Sequence, residues 1–240
     1  MNTLTSLEAW LIDRGLTAQE AAVWSDFVID ALELVDEAYA LLLTPAEWAS
    51  FIAGCHALPT EPDLTSGLGD RMKRLWVDAS FDSRRDRVIV AYEVPTPGDE
   101  KHGKHKSKAD FRFERKFEAG YCAAFVVEAK SLRTKTDLTS RYLGSDGIGC
   151  FTHRAPPYST AVMAGMLGYA MSNPSTWEPD LSTALKTFPE TRRYRSISIG
   201  LAGKQSLASD HPRTQAGSDS DVTILHSILD FDFAQHMETR

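Results

Sequence analysis

Apolar residues recur at helical spacing through the first part of the chain, and the period changes near residue 87. Leu4, Leu7, Trp10 and Leu11 form one helical stripe; Ala21, Trp24, Phe27, Val28, Ala31 and Leu34 form a longer one. Thr17 can cap the second helix, with Glu20 closing a capping box. A third helix is predicted from Thr44-Pro45, with proline at its first position, to about Ala57. After Pro59 another runs from about Pro62 to Ala79, with Leu64, Leu68, Met72, Leu75 and Trp76 on one face. Arg87 to Val94 is β-branched and reads as a strand. From Asp110 to Lys116 the pattern alternates, with Phe111, Phe113 and Phe117 on one face, and Tyr121 to Ala129 is an apolar strand. Glu118-Ala119-Gly120 between them implies an antiparallel hairpin. Downstream, Tyr158–Met171 is predicted as a small-residue helix and Glu178–Lys186 as another. Tyr194–Leu201 and Val222–Phe231 read as strands, separated by a polar loop over 203–220. The pattern is that of a mixed α/β layer architecture, with residues 1–58 as a helical N-terminal appendage and 59–235 as the core.

The hairpin carries the chemistry. A turn near Glu118 and Ala119 sets Asp110 opposite Val127 or Glu128. Side chains alternate along a strand, so Glu128 and Lys130 share a face, and Asp110 joins them in the register that pairs it with Glu128. A Glu and a Lys following Ala123-Ala124-Phe125-Val126-Val127 are costly to bury unless paired or metal-bound. Two carboxylates suit Mg²⁺. Such an ion polarises a phosphate and acidifies a bound water, and a lysine can orient that water and offset developing charge.

Composition narrows the setting. The 240 residues are 42% hydrophobic and 25% charged, ordinary for a globular protein. The three cysteines (Cys55, Cys122 and Cys150) form no CxxC and have no zinc spacing to a histidine, so they read as buried thiols in a reducing compartment. No signal peptide or membrane span is legible, and a cytoplasmic protein is expected. The net charge of −7 argues against a generally basic nucleic-acid-binding surface but leaves room for a local groove. Lys101, Lys104, Lys106 and Lys108, then Arg112, Arg115 and Lys116, cluster just ahead of or within the hairpin. Lys104, Lys106 and Lys108 can track a phosphate backbone, and Arg133 and Lys135 can neutralise phosphates beyond the second strand. The alternative for each is a solvated surface charge. His102 and His105 make a lone HxxH in a polar loop, and His153 and His226 stand singly and read as structural. Gly144 to Gly149 lacks the Lys-Ser/Thr of a phosphate loop.

Asp110 followed by Glu128-Ala129-Lys130 at the end of an apolar strand resembles the PD-(D/E)xK signature of restriction-endonuclease-like nucleases. The resemblance spans about residues 60–231. It implies a mixed central sheet flanked by helices, with Mg²⁺ or Mn²⁺ held by Asp110, Glu128 and the Ala129 carbonyl while Lys130 activates water. An acid on the preceding helix often joins such sites: Glu61 is favoured, because Asp63 fits a capping box with Thr60. Ala109 stands where the signature has proline. Gly147-Ile148-Gly149-Cys150-Phe151, Tyr158, Ala164–Tyr169 and His226–Phe231 are similar to stretches of bacterial nucleases of restriction and anti-phage defence. The small residues at 164, 165 and 168 also have a plain packing role. The implied function is a DNA endonuclease, the effector subunit of a defence system with a partner such as a helicase or ATPase. The alternatives are an RNase with the same cluster and a catalytically idle nuclease-fold subunit that docks through residues 1–58.

Overall fold

The structure is a computed structural model and describes residues 6–96, 99, 107–118, 121–197, 206–214 and 221–232. It is mixed α/β. Helices α1 (Leu7–Asp13), α2 (Ala18–Leu42), α3 (Pro45–Gly54) and α4 (Glu61–Val77) come first, followed by strands β1 (Ile89–Pro95), β2 (Lys108–Glu118) and β3 (Tyr121–Leu132). A π-helical segment, Asp137–Tyr142, and the short α5 (Gly149–Thr152) lead to β4 (Met163–Ala170), α6 (Pro174–Thr187), β5 (Arg193–Ile197), β6 (Ser206–Pro212) and β7 (Asp221–Asp230). The strands form one seven-stranded sheet in the order β1-β2-β3-β4-β7-β6-β5. Among the described residues no helix is long and apolar enough to cross a membrane.

The chain divides into two compact units. One comprises Met1–Tyr92, Phe111–Phe125 and Ser196–Ser206. Its helices begin as the sequence dictates. Thr17 and Glu20 exchange hydrogen bonds in a capping box on α2, and Thr60 and Asp63 do the same on α4, which satisfies orphan N–H groups of the first turn. Helix α2 buries Trp24, Phe27, Val28, Ala31 and Leu34 and packs on α1, α3 and α4. Helices α1, α2, α3 and α4 all belong to this unit. Trp10, Trp24 and Trp48 are buried, while Trp76 is half-buried. Arg115 is also buried here, bonded to Asp26 and Asp30 and lying over the rings of Phe27 and Phe117. Gly69 admits the ring of Tyr92, whose hydroxyl donates to Asp70 at 2.6 Å; a Cβ there would lie 2.5 Å from the ring.

The second unit comprises Glu93–Asp110, Val126–Arg195 and Leu207–Arg240. Its core gathers Ala109, Val126, Leu132, Tyr142, Phe151, Ala164, Met166, Trp177 and Ile224. β4 runs parallel to both β3 and β7, pairing Glu128 with Met166 and Met166 with His226, and β6 runs antiparallel to β7. Two expectations are corrected here. Residues 163–170 form a strand, where the sequence pattern predicts a helix over Tyr158–Met171. Every residue of β4 is buried, so it has no solvent face to impose a period, and a central parallel strand reads as an unbroken apolar run. Gly168 serves close packing within the sheet: a Cβ there would meet Ile228 at 2.5 Å and Leu132 at 2.6 Å.

The predicted loop over 203–220 contains strand β6. Its polar residues Ser209, Asp210 and His211 are buried and bonded to neighbouring side chains. Asp210 bonds Arg193 and Thr223. Ser209 Oγ lies 2.7 Å from His211 Nε2 and 2.6 Å from His226 Nε2. Tyr142 Oη continues the chain, lying 3.2 Å from both His226 Nδ1 and the Met166 carbonyl oxygen. Burial lowers the pKa of both histidines, that of His211 to about 4. Of the cysteines expected to be buried, Cys150 is buried, Cys55 is half-buried, and Cys122 near the start of β3 is exposed.

Candidate active site

The hairpin that positions the candidate acids is β2 and β3, neighbours in the sheet joined by two residues, a connection that forces them antiparallel. Phe113 meets Phe125 at 6.3 Å between ring centroids, and Phe117 meets Tyr121 at 5.9 Å. Carried to the open end of the hairpin, the same offset sets Asp110 across from Glu128. There the Ala129 N–H donates to Asp110 Oδ2 at 2.7 Å.

Glu128 and Lys130 lie in the stretch of β3 where every residue is buried, with side chains only 7% and 8% exposed. Lys130 Nζ donates to Glu128 Oε1 at 2.6 Å and to the Ala129 carbonyl at 2.8 Å. A buried carboxylate and ammonium are tolerated because each compensates the other. Both backbone polar groups of Ala129 are therefore engaged, its N–H by Asp110 and its carbonyl oxygen by Lys130.

Two further groups, Cys150 and Tyr158, feel the charge of the Glu128 carboxylate. Burial first, and then the Glu128 carboxylate, push the Cys150 thiol up to about 12 and the Tyr158 phenol higher still, while Arg154 pulls both down. The Arg154 guanidinium carbon stands 5.0 Å over the Tyr158 ring. Sequence reasoning gave Cys150, Arg154 and Tyr158 no part in the site. Their one signal was that Cys150 and Tyr158 fall in the stretch whose pattern is similar to defence nucleases.

The other expected site residues are dispersed. Lys108 is exposed at the start of β2. Lys104 and Lys106, like Lys101, His102 and His105, lie outside the described residues. Arg133 is exposed just beyond β3, its Nε 3.4 Å from Met171 Sδ. The Lys135 side chain is 83% exposed, with Nζ 3.5 Å from Asp180. Of the basic residues within β2, Arg115 is consumed by Asp26 and Asp30 and Arg112 bonds Glu114. Glu61 opens α4 in the first unit and is half-buried.

No family model, curated protein or solved structure compared with the chain matches it.

Among the described residues no three His, Cys, Asp or Glu side chains come together to hold a metal ion. The donors on offer are instead two carboxylates, Asp110 and Glu128, and the Ala129 carbonyl. This all-oxygen set fits Mg²⁺, which takes one or two carboxylates and keeps several waters. The Lys130 ammonium lies against two of those oxygens, so a positive charge is already accommodated between them.

Proposed function

We propose that the chain is a metal-dependent nuclease of restriction-endonuclease-like fold that hydrolyses phosphodiester bonds, with DNA as its substrate. The observation that carries this reading is the doubly bonded Ala129 backbone, whose N–H meets Asp110 and whose carbonyl meets the Lys130 ammonium that also bonds Glu128, at the end of one hairpin. The succession of helix α4, strand β1 and a hairpin with an acid on β2 and Glu-Ala-Lys on β3 supports the resemblance to PD-(D/E)xK nucleases.

Asp110, Glu128 and the Ala129 carbonyl would hold Mg²⁺ or Mn²⁺. When bound, such an ion polarises the phosphoryl group and lowers the pKa of water. Lys130 would orient the attacking water and offset the charge that grows on the phosphate oxygens. Burial of Glu128 and Lys130 strengthens each of these interactions over its value in bulk water. The net charge of −7 favours a partner that delivers the nucleic acid, and this reading gives that part to a helicase or ATPase of an anti-phage defence system.

The test is cleavage of linear and circular DNA, with RNA in parallel, by the purified full chain in Mg²⁺ or Mn²⁺. Glu128→Gln and Lys130→Ala are expected to cut rates by at least about 10²-fold, with circular dichroism confirming that each variant is folded at the assay temperature. RNA cut in preference to DNA would reassign the substrate. No cutting of either nucleic acid sinks the proposal. A second reading, an idle subunit that keeps the cluster for structure, draws on the closed contact of Lys130 with Glu128 and Ala129; it predicts no cutting and a thermal melt indifferent to Mg²⁺.

A further inference from the structure

A cavity of about 340 Å³ lies in the first unit, between helix α2 and the turn that follows α4. Four carboxylates line it, those of Asp30, Glu33 and Glu37 on α2 and of Asp78 after α4, against the guanidinium groups of Arg84 and Arg85. Arg84 bonds Glu33 and Arg85 bonds Glu37, but every side chain in these two pairs is at least 40% exposed. Solvent screens such pairs, so a competing cation displaces them at little cost. Asp78 has no cation against it among the described residues. Asp30 differs from the other three, because its side chain is only 1% exposed. Its Oδ2 takes the bond from Arg115 and lies 3.9 Å from Arg87, and neither arginine lines the cavity. Its Oδ1 is turned to the cavity-lining Arg84, whose Nε stands 3.7 Å away, too far to donate a hydrogen bond. Oδ1 therefore accepts no hydrogen bond among the described residues. A buried carboxylate oxygen without a donor is costly, and a donor reaching it through the cavity would remove that cost.

We propose that this cavity is a polyamine site, in which one ammonium group of a linear di- or triamine donates to Asp30 Oδ1 and the further ammonium groups meet Glu33, Glu37 and Asp78. The spacing of the acids selects this class of cation. Three of them recur over residues 30–37, about 10 Å along the helix axis at about 1.5 Å per residue. Among the described residues no three acids converge to hold one ion. A compact divalent ion would therefore reach only part of the set, whereas ammonium groups spaced along a flexible chain reach all of it. The methylenes between them would lie along Leu34 and Ala79, which also line the cavity. The proposal is independent of the nuclease reading, since none of Asp110, Glu128 and Lys130 lines this cavity.

The experiment is isothermal titration calorimetry of spermidine and putrescine into the full chain at about 0.1 M salt, with Mg²⁺ as a competitor. Both polyamines are expected to bind, and spermidine at about ten times its Kd to raise the melting temperature by about 3–6 °C. Asp30→Asn should weaken spermidine binding at least about tenfold, through loss of a charge-assisted hydrogen bond. Asp30 also holds Arg115, so a second variant, Glu33→Gln/Asp78→Asn, changes only exposed side chains; it should weaken binding about fivefold. Arg84→Gln removes the competing guanidinium and should tighten binding, whereas Glu8→Gln, an exposed acid of α1, should leave it unchanged. The proposal is overturned if neither polyamine binds, if Mg²⁺ displaces putrescine as readily as spermidine does, or if Glu8→Gln weakens spermidine as much as Glu33→Gln/Asp78→Asn. An oligolysine peptide that binds where spermidine does not overturns it as well, by assigning the cavity to a protein partner. None of these readouts involves cleavage, so either outcome leaves the nuclease reading to its own test.

Discussion

Replacing Lys130 with methionine separates a working site from a merely structural ion pair without an activity assay. Methionine keeps the length and most of the volume of the lysine stem, so the perturbation is the loss of the ammonium. That ammonium lies 2.6 Å from Glu128 Oε1, and neither side chain is more than a tenth exposed. Removing one partner of a buried ion pair costs about 3–5 kcal/mol, because the remaining charge loses its compensation. For a chain of this length each kcal/mol lowers the melting temperature by about 2–4 °C, so Lys130→Met should melt about 6–20 °C below the parent in EDTA. The double variant Glu128→Gln/Lys130→Met removes both charges and should recover most of the loss, because a neutral replacement for a buried pair is often close to neutral in stability. Mg²⁺ should then stabilise Lys130→Met more than the parent, since in the parent the ion competes with the ammonium for Glu128 and the Ala129 carbonyl. At a hundredfold excess over its Kd the ion contributes about 2.7 kcal/mol. Differential scanning fluorimetry with EDTA and with millimolar Mg²⁺ reads every arm. If Lys130→Met melts with the parent in EDTA, or if Mg²⁺ fails to favour the variant, the shared-oxygen account of the site is wrong.

Two predictions concern the scaffold of the second unit. His211 and His226 are buried neutral, with folded pKa values below the unfolded value of about 6.5. The unfolded chain therefore binds more protons between those values, so stability is fully present above pH 6.5 and falls as the pH drops toward about 4, the folded value for His211. Urea denaturation at pH 7 and pH 5 should show a loss of about 2 kcal/mol from His211 alone, with His226 adding to it; a flat profile across that window would falsify the neutral-histidine network. Gly168→Ala places a methyl 2.5 Å from Ile228 and 2.6 Å from Leu132, and should cost about 1–3 kcal/mol by overpacking. An unchanged urea midpoint would show that the sheet yields there at no cost.

How much of this was legible in the sequence depends on how much solvent each segment meets. Strand β2 has one buried face and one half-exposed face, so Phe111 and Phe113 alternate with Asp110, Arg112 and Glu114, and both the strand and its hairpin could be read directly. Strand β4 has no exposed residue, and its Ala, Gly and Met content erased the period of two; its length of eight residues was the remaining clue against a helix. Strand β6 was hidden for the opposite reason. Ser209, Asp210 and His211 look like loop residues until His226, Thr223 and Arg193 are known to satisfy them, and those partners lie on β7 and at the start of β5.

The same distinction explains which parts of the candidate site stood out. Glu128 and Lys130 lie in a fully buried stretch of the sheet, where ionised groups are costly, so two charges at the end of an apolar run were conspicuous without any tertiary information. Arg154 and Tyr158 carry no such local contradiction. An arginine and a tyrosine in the connection between α5 and β4 are ordinary residues for an irregular segment, and nothing in their spacing announces a stack. The packing of Tyr158 on Phe151 and its bond to the Cys150 carbonyl follow only from the folded connection between α5 and β4. Charges that the sheet forces into its interior can be read from composition along one strand.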